Sequence, residues 1–263
     1  MKQKVFLSAT WEYLAMMNYV VEPEILKPYL PPHTELDLFE GKALVSIVGF
    51  LFNNTKVMGM PWPWHTNFDE VNLRYYVKHF DGQQWKRGAA FISEIVAKPM
   101  IASTANLMYN EHYSTAKMFH NIRTVNNKLL VEYNWKKKKQ PWNSIEIQAA
   151  TELLEIVPGS EAEFILEHYY GYNGYDQNTT IEYAVEHPRW RMYPVNSYLL
   201  KCDVAHLYGA EFVPFIKDVK PHSVFLAKGS DIIVRKPSKI RDKIFVVTTP
   251  EHPVANKNKY PGR

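Results

Sequence analysis

A chain of 263 residues with a net charge of +4, spread rather than clustered, gives little footing for a nucleic-acid partner, which needs a basic face. A single cysteine, Cys202, excludes an internal disulfide, the apolar run ALVSIVGFLF is too short to span a bilayer, and MKQKVFLSATWEY lacks the apolar stretch of a signal peptide. A cytoplasmic setting without membrane contact is the expectation, and 14% aromatic residues suffice for a core and an aromatic-lined cavity.

Along the chain the hydrophobic period is two more often than 3.6. WEYLAMMNYVV (11–21) reads as a strand, and EPEILKPYL (22–30) as a short helix with Pro23 in its first turn and Pro28 limiting it. KALVSIVGFLF is a second strand; MPWPWH after it, with Trp62 and Trp64, is a loop fit to be an interaction anchor or a lid. In NFDEVNLRYYVK (67–78), Val71, Leu73, Tyr75 and Val77 share one face, and Glu70, Asn72, Arg74 and Tyr76 the other. QWKRGAAFISEIV is the next strand, followed by a candidate helix, KPMIASTANLMY (98–109). KLLVEYNW and SIEIQAA flank the lysine run of NWKKKKQPW, which reads as a solvated hairpin turn guarding an edge. SEAEFILEHY opens with Ser160 and Glu163 at capping-box spacing; TIEYAVE is a strand and DVAHLYGAEFVPFI helical. SVFLAKGSDIIV reads as a hairpin turning at Lys228-Gly229-Ser230-Asp231. The expected fold is α+β, mostly antiparallel, a closed barrel or strongly bent sheet with few short helices, as one domain over 1–248 and a polar tail over 249–263.

Ten histidines invite a metal reading, but no paired HxxxH or CxxC spacing frames a ligand set, so no metal is expected. Neither a Gly-rich phosphate loop nor a GxSxG elbow is present, which narrows any enzyme to acid/base or amine chemistry. SEIVAKPMIA (93–102) carries both: on a strand ending at Pro99, Glu94, Val96 and Lys98 share a face. If that face and the Glu70, Asn72, Arg74 face of the neighbouring strand turn inward, the polar groups converge on one interior space; if they turn outward, they form a wet, salt-bridged surface. Other polar groups fit to line a cavity are His65, Arg87, Tyr109, His112, His168, Tyr169, Tyr172, His187 and Arg191.

YLAMMNYVVEPEILKPYLPPHTELDLFEGKALVSIVGFLFNNTKVMGMP, with NFDEVNLRYYV, RGAAFISEIVAKPMIA, EHYYGY, VEHPRWRMYP and SVFLAKGS, closely resembles the YqjF-like family of uncharacterised bacterial proteins, to about residue 235. That family is grouped with acetoacetate decarboxylase-like proteins, which implies a cone-shaped antiparallel barrel around a central cavity. In the decarboxylase a lysine forms a Schiff base with a β-keto acid. Its motif runs Arg-Glu, four residues, Pro-Lys-Lys; here Glu94 and Pro99 fit, but the lysine places hold Met100 and Ile101. Glu70 matches a catalytic-site glutamate, whereas a second glutamate falls near Ser46 and the substrate-binding arginine near Trp11. Lys98 lies two positions before the Met100 place, on the same strand face and displaced by roughly 6.6 Å.

The resemblance and the residues imply a barrel that binds a small carboxylate or carbonyl metabolite, with Arg74 as anion anchor and Asn72, Met100, Tyr109, His168 and Tyr172 around the ligand. The alternative is a lyase-like enzyme on a keto acid, using Lys98 as amine or Glu70 and Glu94 as acid and base. Neither requires a cofactor, and self-association of the chain stays open.

Overall fold

The computed structural model describes residues 3–61, 66–98 and 113–241. The helix expected over 98–109 falls almost wholly outside these, as do Met100, Tyr109, His112, the Trp62–Trp64 loop with His65, and the tail.

Alternation of β-branched and aromatic residues builds long strands, as the period of two predicts. One hydrogen-bonded sheet contains β1 (Val5–Val21), β3 (Ala43–Val57), β5 (Phe68–Phe80), β6 (Trp85–Val96), β12 (Tyr170–Asp176), β13 (Thr179–Glu186) and β16 (Ser223–Arg235). Their order is β16-β1-β3-β5-β6-β12-β13, and pairing of β13 back to β16 at Val185↔Val234 and Glu186↔Ile233 closes it into a ring. All neighbours in the ring are antiparallel except β6 and β12, which meet in parallel at Gly88 and Ala89. Short strands decorate it: β2 (Glu35–Leu36), β4 (Met60–Pro61), β7 (Tyr113–Thr115), β11 (Leu154–Glu155), β14 (Arg191–Tyr193) and β17 (Ser238–Arg241). A second sheet, β15-β10-β9-β8, consists of β8 (Lys117–Val125), β9 (Lys128–Lys136), β10 (Asn143–Ala150) and β15 (Val195–Lys201), and the β9–β10 hairpin turns through the lysine run.

The expected hairpin at Lys228–Asp231 does not form. Strand β16 runs straight through it, paired to β1 on both sides of Gly229, at Thr10↔Asp231 and Leu14↔Ala227. Gly229 takes φ +81, and a Cβ there would stand 2.0 Å from the Trp11 carbonyl oxygen. Here the glycine serves an irregularity in a continuous ladder rather than a reversal, and Tyr13, next to its partner Glu12, also has a positive φ of 53°.

Helices are short, as expected: α1 (Pro23–Leu26), α2 (Glu161–Leu166), α3 (Val204–Tyr208) and α4 (Val213–Ile216). At α2 the Ser160 side chain accepts from the Glu163 backbone N–H at 3.2 Å, and the Glu163 carboxylate accepts from Gly159 N–H at 2.6 Å. This cap presents Phe164, Ile165 and Leu166 inward and sets the exit toward His168. None of the helices described is long and apolar enough to cross a membrane.

Both faces of the central strands are covered. Val71, Leu73, Tyr75 and Val77 pack with Val131, Tyr133, Trp135, Ile145 and Ile147 of the second sheet in one core. Full burial of each such large side chain contributes roughly 1.5–3 kcal/mol. The opposite face, inside the ring, forms a second core with Phe6, Leu14, Met16, Phe50, Phe52, Phe68, Tyr76 and Phe164. The polar face of β5 therefore lies within the ring, and the solvated-surface reading is overturned: Glu70, Asn72 and Glu94 are each 2% exposed.

Candidate ligand-binding site

Inside the ring is a cavity of about 140 Å³. Its wall divides along β5. Trp11, Phe50, Phe52 and Phe68 form an aromatic portion, with Phe52 and Phe68 stacked at 4.5 Å and Trp11 edge-on to Phe50 at 5.2 Å. Glu70, Asn72, Arg74, Glu94 and His168 form the polar portion. Phe68, Glu70, Asn72 and Arg74 alternate inward from the aromatic end, through one acid and its amide neighbour, to the guanidinium, a backbone span of roughly 20 Å.

Glu94 reaches the cavity by a departure from strand periodicity. In the β5–β6 ladder Asn72 pairs Glu94 but Arg74 pairs Phe91, a register shift that adds a residue to β6. That bulge puts both Phe91 and Glu94 on the cavity wall, although they are three residues apart. In β1 a similar shift between Glu12 and Ala15 brings Trp11 and Leu14 to the same wall.

Glu70 is held by two donors: the Asn72 amide at 2.9 Å on one oxygen and the Tyr113 hydroxyl at 3.0 Å on the other. Burial outweighs these bonds and the Arg74 charge, and pushes the Glu70 carboxyl up to about 7. Near neutral pH this group can therefore both give and take a proton.

Arg74 is differently placed. Among the described residues it makes no ion pair; its Nε donates to the Tyr76 hydroxyl and its Nη2 to the Ile165 carbonyl, both at 3.4 Å. Tyr76 in turn meets the Ser46 hydroxyl at 2.6 Å, and Ser46 donates to Asn18 Oδ1 at 2.6 Å. Since the one Ser46 proton goes to Asn18, Tyr76 donates to Ser46 and keeps its oxygen for Arg74. Ser46 thus anchors a chain of hydroxyls that orients a guanidinium.

His168 follows α2, with its side chain 3% exposed. Its ring packs on Tyr76 and Phe164, and its Nε2 lies 3.2 Å from Asp37 Oδ2, which also accepts from Arg87 Nε at 2.6 Å. Burial opposes ionisation of Asp37, but the bonds from His168 and Arg87 prevail and hold its carboxyl below the usual range. Burial lowers His168 to about 4, with the cations Arg87 and Arg74 adding to the effect and Asp37 opposing it. At neutral pH the imidazole is uncharged.

The remaining expected residues lie elsewhere. Tyr172 is fully buried and does not line the cavity, donating instead to Glu182 at 3.0 Å; Tyr170 and Gly171 of β12 line it, with the Tyr183 ring laid over Gly171. Lys98 follows the end of β6, half-buried, and is not among the residues lining the cavity. His187 stacks on Trp190 at 4.0 Å, and Tyr169 bonds Glu167. Tyr113 and Asp37 belong to the site or its support without having been expected there; the parallel pairing of β7 and the loop contact that position them leave no periodic signal. Among the described residues no group of three or more His, Cys, Asp or Glu is placed to hold a metal ion.

Comparison with solved structures finds the same fold. An acetoacetate decarboxylase from Legionella pneumophila superposes with a TM-score of 0.60 at 14% identity, over 90% of this chain and 88% of that one. An acetoacetate decarboxylase-like enzyme from Sphingomonas wittichii RW1 gives 0.62 at 8% identity, over 91% and 95%. The enduracididine biosynthesis enzyme MppR, complexed with pyruvate, gives 0.59 at 10% identity, over 92% and 91%. At such identities the likeness concerns the fold alone. In sequence, the uncharacterized protein YqjF of Bacillus subtilis (strain 168) is 32% identical over 71 residues, 27% of this chain and 29% of that protein's length. The profile of DUF2071, described as an uncharacterized conserved protein, matches residues 8–231, and the chain belongs to that family.

Proposed function

We propose that the protein is a small-molecule-binding barrel of one domain over 1–248, whose interior cavity takes a small carboxylate or carbonyl compound. The observation that carries this reading is Arg74: a guanidinium on the cavity wall that makes no ion pair among the described residues, lies over the Tyr76 ring and donates two long hydrogen bonds to neutral groups. A guanidinium so placed can make two parallel hydrogen bonds to a carboxylate. That a fold neighbour, MppR, has been seen with pyruvate supports the same class of ligand. The sequence at Met100 and Ile101, where the decarboxylase has lysines, argues against its Schiff-base route. Isothermal titration of 3-phenylpropanoate and its uncharged amide tests the reading. The acid should bind and the amide should not, and Arg74→Met should weaken the acid at least tenfold; equal binding of acid and amide would remove the anchor.

A second reading, an acid/base enzyme on a keto acid, is favoured by Glu70 alone, whose carboxyl is pushed up to about 7 by burial, with Glu94 lining the same cavity. Its test is deuterium exchange at the carbon next to the keto group of 2-oxobutanoate, followed by proton NMR. Exchange lost in Glu70→Gln supports an enzyme; exchange unchanged in that variant removes it. Borohydride trapping with the same keto acid, compared with Lys98→Met, decides the amine route: an adduct that survives Lys98→Met excludes Lys98.

A further inference from the structure

Among the described residues, Nδ1 of His168, Oδ1 of Asn72 and Nε1 of Trp11 are buried polar atoms on cavity-lining side chains without a hydrogen-bond partner. Buried polar groups without partners are rare and costly, so an atom of this kind on a cavity-lining residue is a place where a ligand group or ordered water would complete it. Their chemistry differs. Asn72 offers an oxygen, hence an acceptor, and Trp11 an N–H, hence a donor.

His168 is settled by its support. The carboxylate of Asp37 accepts the Arg87 N–H at 2.6 Å, and an acceptor-only carboxylate requires that Nε2 of His168 carry the proton it shares with Asp37. With Nε2 protonated and the ring neutral, Nδ1 is left with a lone pair. It can bind only a ligand donor.

The size and wall limit the ligand further. If a water-sized group takes about 10–15 Å³ of such space, 140 Å³ holds roughly ten non-hydrogen atoms, more than the smallest keto acids have. The Trp11, Phe50, Phe52 and Phe68 portion suits an aryl or branched alkyl body.

We infer that the cavity selects an apolar hydroxy acid: a carboxylate on Arg74, a hydroxyl donating to Nδ1 of His168, and an aryl or branched body against the aromatic wall, with Asp37 as the positioning residue that makes Nδ1 an acceptor. This rests on the carboxylate reading above and adds the hydroxyl. Neither the fold likeness nor the family description contains it.

The experiment is isothermal titration of 3-phenyllactate against 3-phenylpropanoate, which differ by the hydroxyl alone. Wild-type protein should bind 3-phenyllactate about tenfold more tightly, the worth of one good hydrogen bond. In His168→Phe, which keeps a flat ring but no Nδ1, the ratio of the two affinities should fall to about one. In parallel, nitrogen-15 NMR of the wild-type imidazole should show the Nε2–H tautomer, and Asp37→Asn should shift it toward Nδ1–H with loss of the preference. Equal affinity of the two acids in wild-type protein would overturn the hydroxy-acid inference and leave the carboxylate reading standing. Binding of neither acid would overturn both. If Asp37→Asn does not fold, the wild-type tautomer still decides: a wild-type Nδ1–H tautomer would refute the role given to Asp37.

Discussion

Asn72 pairs with Glu94 in the β5–β6 ladder while its side-chain amide donates to Glu70 at 2.9 Å, so a single residue ties the two buried acids of the cavity together. This bond favours the charged form of Glu70. Asn72→Leu should therefore raise the Glu70 pKa above about 7, and Tyr113→Phe, which removes the other donor, should do the same. Carbon-13 NMR of the carboxyl across pH reads it directly; a downward shift in either variant would contradict this account of the bond.

Glu70 and His168 make opposite contributions to stability against pH. The folded pKa of Glu70, about 7, lies above its ordinary 4.5, so the native state holds the extra proton between those values. Stability from this group is full below about 4.5 and is lost as pH rises to about 7. The folded pKa of His168, about 4, lies below its ordinary 6.5, so the unfolded state holds the proton in that window and stability is lost as pH falls from 6.5 to 4. In wild-type protein the two trends partly cancel. Glu70→Gln should expose the His168 trend as a midpoint that falls on acidification, and His168→Phe should expose the reverse. Urea unfolding at pH 4.5, 5.5 and 7 tests both, with differences on the order of a few kcal/mol.

Ser46 accepts from Tyr76 and donates to Asn18 within the interior. Ser46→Ala strands a tyrosine hydroxyl and an amide oxygen, and should cost about 1–3 kcal/mol in urea unfolding. It should also weaken binding of 3-phenylpropanoate, because Arg74 loses the oriented hydroxyl it leans on. Unchanged affinity would show that Arg74 is positioned without the chain.

Gly171 lets the Tyr183 ring lie against β12; a Cβ there would stand 2.1 Å from the ring. Gly171→Ala should cost roughly 1–3 kcal/mol by overpacking. Combined with Tyr183→Val, the penalty should be less than the sum of the two single changes, and additivity would show that the two do not meet.

The strands and the short helices were legible because alternation and caps are local signals: NFDEVNLRYYVK, SEAEFILEHY and the lysine-run hairpin all stand where their patterns put them. Less legible was what faces what. A strand with one apolar and one polar face ordinarily puts the polar face in water, and nothing local says that a ring of strands will enclose Glu70, Asn72 and Arg74. The bulge in β6 also shifts phase within AFISEIV, so Phe91 and Glu94 share a wall that strict alternation would split. Gly229 resembled a turn because glycine with positive φ serves bulges as well as hairpins. Tyr172 and Gly171 illustrate the converse, since an aromatic next to the site is no guide to which neighbour faces it.

The most direct measurement is a crystal structure of the protein with 3-phenylpropanoate. The account predicts the carboxylate within hydrogen-bond distance of the Arg74 guanidinium and the ring among Phe50, Phe52 and Phe68. A carboxylate bound away from Arg74, or a cavity holding only water at saturating acid, would contradict it.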